Sequence, residues 1–308
     1  MTEVASLEEY LGTRRAQIET ALERYLPVPP ACPKPLYDAM RYSLRAGGKR
    51  LRPILTLAAA ETVAGAGAAS ERAVELALPA ACAIEFIHTY SLIHDDLPAM
   101  DDDSLRRGQP TNHIVHGEGM AILAGDGLLT EAFALMAAEP PDVALTPRKL
   151  HAIRTVASAA GATGMVGGQA VDLLAVGSVS SFDAASLQDM HARKTGALIR
   201  AAATTGAIMA GATDDLIRAV EDYGRDVGLA FQIVDDILDV EGEAGRLGKT
   251  AGKDAKAGKP TYPSLYGLDA SKRLAAERHA GALGALQAAG LHHSRLADIA
   301  AWVIQRQN

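Results

Sequence analysis

The stretch "LIHDDLPAMDDD", Leu92 to Asp103, gathers Asp95, Asp96, Asp101, Asp102 and Asp103 at the end of a long apolar run. Carboxylates packed this closely repel and raise each other's pKa, so a cation is expected among them. A second acidic group, in "GLAFQIVDDILDV", has simpler geometry. Asp235 and Asp239 are four apart and share a helix face, which Gln232, three residues before Asp235, joins. Asp236 points about 100° away on an ideal helix. Hard oxygen ligands at this spacing suit magnesium, which takes one or two carboxylates and completes its shell with water and phosphate oxygens. Neither cluster has the glycine and terminal glutamate of a twelve-residue calcium loop. In the first cluster an ideal helix aligns Asp95 with Asp102 rather than Asp101, but Pro98 disturbs the turn and leaves that choice open. His88, Ser91 and Asp95 stack along one face of the preceding helix. One acidic run alone is ordinarily a solvated helix end; two at the ends of apolar helices argue for a site.

The basic strings supply the counterpart. "AGGKRLRP" carries Gly47, Gly48, Lys49, Arg50 and Arg52, then Pro53 opening an apolar helix. A helix start flanked by lysine and arginine favours an anion, and arginine holds phosphate oxygens bidentately. "SLRRGQPTNH" places Arg106 and Arg107 directly after the first aspartates, where they could also serve only to neutralise them. "HARKTGALIRAA" puts Lys194 and Thr195 among small residues, where a snorkelling lysine is the plainer reading. "GRLGKTAGKDAKAGKPTYP" holds Lys249, Lys253, Lys256 and Lys259 among glycines. That composition suits either a solvated loop or a lid over phosphate.

These residues are positioned by helices. Strand-like alternation is nearly absent. Apolar residues recur at helical steps over 36–45, 53–64, 70–94, 118–137, 147–162, 184–210, 213–239 and 271–288, and before Leu26. Breakers separate them at Pro27 to Pro35, Gly65/Gly67, Pro140–Pro141 and 242–260. The fold class is therefore all-α, with roughly ten or more helices. No linker divides residues 1–308, so a single domain is expected. The chain has 308 residues, 48% hydrophobic and 22% charged, with net charge -7. An acidic balance argues against nucleic acid as a partner. Cys32 and Cys82 make neither a disulfide framework nor a zinc set, which fits a cytoplasmic protein. No membrane span is expected, because the apolar stretches are explained by helix packing.

Taken in order, "GGKRLRP", "IHTYSLIHDDLPAMDDDSLRRGQPTNH", "GGQAVDL", "KTGALIRAA", "FQIVDDILD" and "GKPTYP" closely resemble the trans-isoprenyl diphosphate synthases, from about residue 36 onward. Within that family the spacing of the first aspartates is most similar to bacterial farnesyl diphosphate synthases. The resemblance implies a homodimer of helices around a deep central cavity, the isoprenoid synthase fold. It implies isopentenyl diphosphate and allylic diphosphates as substrates, and magnesium as cofactor, about three ions with substrate bound. Asp95, Asp101, Asp235 and Asp239 match metal positions, with Asp96 and Asp236 beside them as catalytic positions. Gly48, Lys49, Arg52, His88 and Arg107 match the isopentenyl side. Arg106, Lys194, Gln232 and Lys249 match the allylic side, and Thr195 and Lys259 match further pocket positions. Tyr90 and Ser91 fall where bulk sets chain length, and a tyrosine there resembles enzymes that stop at fifteen carbons. Geranylgeranyl diphosphate is the rival product. A terpene cyclase would not need "GGKRLRP", and a non-catalytic synthase subunit would typically lack one of the two aspartate motifs.

Overall fold

The structure is a computed structural model that describes residues 6–175, 183–241 and 260–306. The candidate residues Lys249 and Lys259 lie outside the described residues. In chain order the helices are α1 (Leu7–Tyr25), α2 (Lys34–Arg45), α3 (Leu51–Ala64), α4 (Ala68–Asp95), α5 (Asn112–His116), α6 (Glu118–Ala138), α7 (Thr146–Ala160) and α8 (Met165–Ala175). They continue with α9 (Ala184–His191), α10 (Ala197–Ala210), α11 (Asp214–Glu241), α12 (Tyr262–Tyr266), α13 (Leu268–Ala288) and α14 (Arg295–Gln305).

The helical periodicity in the sequence is realised in these elements, with local devices setting their ends. Ser6 and Glu9 form a capping box at the start of α1. Gly211, in the left-handed region, stops α10. The expected helix over 184–210 is one run, but it carries a π-type segment, Ala192–Gly196, between α9 and α10. Four elements were not anticipated: α8, α14 and the short α5 and α12. The nearly strand-free reading also meets an exception, a two-residue hairpin pairing β1 (Leu105–Arg106) with β2 (Gln109–Pro110).

α3, α4, α10 and α11 form the centre, with α6 and α13 packed outside them. One continuous apolar cluster runs through the chain from Ile18 to Val303. A smaller one joins Leu187, Met190, Leu229, Ile233, Ile237 and Tyr262 below the second acidic motif. Each fully buried Leu, Ile or Phe contributes about 1.5–3 kcal/mol. Cys82 is a fully buried free thiol, and Cys32 is free as well.

Among the described residues, two helices are long and apolar enough to cross a membrane by length and composition. For α4, 78% of the apolar window is buried inside the protein, as core packing requires. For α6 only 39% is buried, and Ile122 and Leu123 are exposed beside Ile114 and Val115 of α5.

Close helix crossings depend on glycine. At Gly206 of α10 an added Cβ would lie 2.0 Å from the Thr56 carbonyl oxygen of α3. Gly206→Ala should therefore force the two central helices apart, at a cost of about 1–3 kcal/mol. Gly12, in the middle of α1, has nothing within 4 Å of a Cβ. There the same change should raise stability by up to about 1 kcal/mol through helix propensity alone. Thermal melts of both variants, moving in opposite directions, check this.

Candidate active site

α4 ends at Asp95, and the chain folds back on it. The Asp101 amide donates to the Asp95 carbonyl at 2.9 Å, and the Asp103 amide to that of Asp96 at 3.2 Å. The turn thereby brings Asp101 back against the end of α4, within reach of the Asp95 charge. Asp101 is the partner of Asp95, whereas Asp102 is exposed with a left-handed φ of 48°. Burial pushes Asp95 up to about 6, and the Asp101 charge adds to the rise, while Lys194 pulls it back. Asp95 is thus a carboxylate short of positive charge.

Asp96 is arranged differently. It is buried, and the Arg106 guanidinium donates to both its oxygens, from Nε at 2.9 and 2.8 Å. The neutralising role for Arg106 is therefore present in the structure. Arg106 and Asp96 lock the hairpin to the end of α4 rather than standing open.

Lys194 sits on the π-type segment. Its ammonium donates to Asp172 of α8 at 2.5 Å. The approach is possible because Gly168 has no side chain; a Cβ there would lie 2.2 Å from the Lys194 amide nitrogen. Asp172 belongs to "GGQAVDL", and sequence reasoning assigned it no role. The signal was a lone acid in a run of small and apolar residues.

On the other flank the segment meets α11 at a second glycine crossing, where a Gly228 Cβ would lie 2.9 Å from the Gly196 Cα. Next to it the Thr195 hydroxyl donates to Gln232 at 3.0 Å, and Gln232 donates to Asp236 at 2.8 Å. Asp236 is buried and also accepts the Tyr262 amide of α12 at 3.0 Å. One oxygen is held by Gln232 within α11 and the other ties α11 to α12, so Asp236 is committed away from Asp235 and Asp239. Gln232 turns to Asp236 as well.

Asp235 pairs with Arg306 just beyond α14, at 2.8 Å. The Arg306 guanidinium stacks 3.7 Å over the Phe231 ring and is nearly fully buried. Asp239, one turn on, is half-buried. The charge of Asp235 also acts on Lys49 and Arg52. This brings the first basic string to the second acidic motif. Arg107 donates to the Gly47 carbonyl, and its guanidinium lies 2.5 Å from where a Gly48 Cβ would be. Gly48 has a φ of 129°, which glycine alone adopts without strain, whereas the Arg107 tip could swing away from a Cβ. Burial lowers Arg52 to about 10. Burial, then the Arg52 and Arg107 guanidiniums, hold His88 well below the usual histidine range, so the ring is neutral. Lys49 lies 6.0 Å from the ring of Trp302 in α14.

Four of the positions assigned to the isopentenyl side, Lys49, Arg52, His88 and Arg107, thus form one basic cluster linked by mutual charge effects, with Gly48 against the Arg107 guanidinium. Tyr90 is buried, edge-on to His94, and feels the Asp95 charge. The Ser91 hydroxyl is spent on the His88 carbonyl at 2.9 Å.

No group of three or more His, Cys, Asp or Glu side chains is close enough to hold a metal among the described residues. The donor set still fits a hard divalent cation: Asp95 and Asp101 repel each other in partial burial, and Asp235 and Asp239 share a face. Protein cations now balance these groups, Lys194 beside Asp95 and Arg306 on Asp235. In metal-free protein Asp95→Asn should raise the melting temperature by a few degrees, since it removes a carboxylate destabilised by burial and by Asp101. A melt in chelator that showed a loss of stability instead would contradict this account of the cluster.

Residues 33–287 match the family model described as polyprenyl synthetase. A geranylgeranyl diphosphate synthase of Cyanophora paradoxa is 47% identical over 86% of this chain and 85% of its own. A farnesyl diphosphate synthase of Geobacillus stearothermophilus is 46% identical over 89% of this chain and 91% of its own. A crystal structure of an FPP/GFPP synthase from Zymomonas mobilis superposes with a TM-score of 0.82 at 36% identity, covering 97% of this chain and 98% of that one. With these matches to prenyl synthetases, the chain is a prenyltransferase. The chain belongs to the polyprenyl synthetase family.

Proposed function

We propose that this prenyltransferase joins isopentenyl diphosphate head-to-tail to an allylic diphosphate, dimethylallyl and then geranyl, giving farnesyl diphosphate. The observation that supports this reading is a basic cluster set apart from an acidic one. One is the group of Lys49, Arg52, Arg107 and neutral His88. The other is the acidic pair Asp95 and Asp101 with Lys194 beside it, where a divalent cation would offset the repulsion between carboxylates and a diphosphate.

The roles follow from charge. Ionising an allylic C–O bond places negative charge on the departing diphosphate and positive charge on the carbon fragment. Asp95, Asp101, Asp235 and Asp239 would hold magnesium, which when bound would supply Lewis-acid stabilisation to that diphosphate. Lys194 adds fixed positive charge on the same side. Lys49, Arg52 and Arg107 hold the second diphosphate so that its double bond is presented to the cation. Asp96 and Arg106 brace the end of α4. Asp236, Gln232 and Thr195 join α11 to the segment bearing Lys194. No side-chain nucleophile is needed.

A fifteen-carbon product rests on Tyr90, whose buried ring lies five residues before Asp95. A twenty-carbon product is the second reading, favoured by the relatives named geranylgeranyl synthases. The continuous apolar core supports one domain over the chain. The open apolar face of α5 and α6 supports a homodimer, and the free buried cysteines support a cytoplasmic setting.

Incubation with magnesium, isopentenyl diphosphate and dimethylallyl diphosphate should yield mainly a fifteen-carbon diphosphate, read by chain-length analysis. Asp95→Ala and Asp235→Ala should each lower turnover by roughly two or more orders of magnitude, with the helical circular dichroism retained. Near-normal turnover in either variant rejects the metal assignment. Tyr90→Ala should lengthen the product, and an unchanged product spectrum removes Tyr90 from that role.

A further inference from the structure

Lys49 and Arg52 can serve the basic pocket only if the turn between them is held. That turn contains Arg50, which has a left-handed φ of 51° and caps the start of α3. A non-glycine residue is disfavoured there, so the surroundings must enforce the conformation. The side chain shows how. Arg50 turns into the protein, 3% exposed, and its Nη1 donates to Glu85 at 2.8 Å. Its Nη2 donates to the Leu44 carbonyl of α2, and its Nε faces Glu19 of α1 at 3.8 Å.

Glu85 is the buried acid in "LPAACAIEF", 3% exposed on α4 and one turn before His88. Its charge also acts on Arg52 and Arg107. With Thr89, Asp96, Arg106 and Arg107 it lines a small cavity beneath the hairpin. A buried carboxylate thus lies among the cations that surround the basic pocket, next to a strained turn that presents two of them.

We propose that Glu85 is a positioning residue for isopentenyl diphosphate: by anchoring Arg50 it fixes the left-handed turn that points Lys49 and Arg52 into the pocket, and it lets Arg52 and Arg107 stand together before the diphosphate arrives. This rests on the reading of that pocket as the isopentenyl site. Glu85 touches no substrate. Its effect is on the geometry and mutual repulsion of the groups that do.

The test is calorimetric binding of isopentenyl diphosphate alone, together with kinetics in which each substrate is varied separately. Glu85→Gln should weaken isopentenyl diphosphate binding about tenfold and raise its KM in proportion, leaving the allylic KM within about twofold. Because one unpaired buried Arg50 could simply destabilise the chain, the double variant Arg50→Met with Glu85→Met is measured as well. Replacing both members of a buried pair with apolar residues commonly preserves stability. That variant should melt close to the parent and still bind weakly, because the turn is no longer held. Parent-like binding by the double variant would make the pair a stability element only and overturn the proposal. Unchanged or tighter binding by Glu85→Gln would overturn it too. If the parent protein itself bound no isopentenyl diphosphate, the reading of the pocket would fail first, and the proposal with it.

Discussion

The structure depends on keeping like charges close together inside a largely apolar framework. Asp95 and Asp101 crowd one side of the site, and Arg52, Arg107 and Lys49 crowd the other. Neither group is comfortable alone. The chain balances them with its own ions: Lys194 beside Asp95, Arg106 on Asp96, Arg306 on Asp235 and Glu85 among the arginines. A buried pair of this kind adds little net stability, because desolvation offsets most of its attraction. What it provides is order. Each pair fixes one acidic or basic group, so that the remaining ones are left to face a substrate or an ion.

Two ion pairs join separate elements around the site. Lys194 to Asp172 holds the π-type segment to α8, and Arg306 to Asp235 holds the C-terminal end to α11. The segment 192–196 is itself wedged between two glycine crossings, at Gly168 and at Gly228. An extra residue in a helical turn rotates the next turn relative to the last, and π-type turns are frequent at functional sites. Here the turn carries Lys194 toward the first acidic cluster and Thr195 toward the second motif. One local irregularity therefore serves both halves of the site.

Much of this was legible in the sequence. The helical spacing located the central helices, and the order of the aspartate, lysine and arginine strings identified the family. What remained hidden depended on contacts. A wheel could not choose between Asp101 and Asp102, because the backbone turn after Pro98 decides it. It placed Asp235 and Asp239 together but could not see that Asp236 is committed to Tyr262, since that hydrogen bond crosses from α11 to α12. Arg106 read equally well as a substrate ligand or a counterion, and only geometry shows it bound to Asp96. The short helices α5 and α12 are too brief to show a period. Glu85 carried a signal, a lone acid in an apolar run, whose meaning depended on finding Arg50 opposite.

Trp302 is the single tryptophan in the chain, and its indole lies beside Lys49 and one turn from Arg306. Indole emission responds to nearby charge and hydration. The unlabelled protein therefore carries its own optical probe at the meeting point of the basic pocket and the second acidic motif, and events there can be followed in real time without any dye.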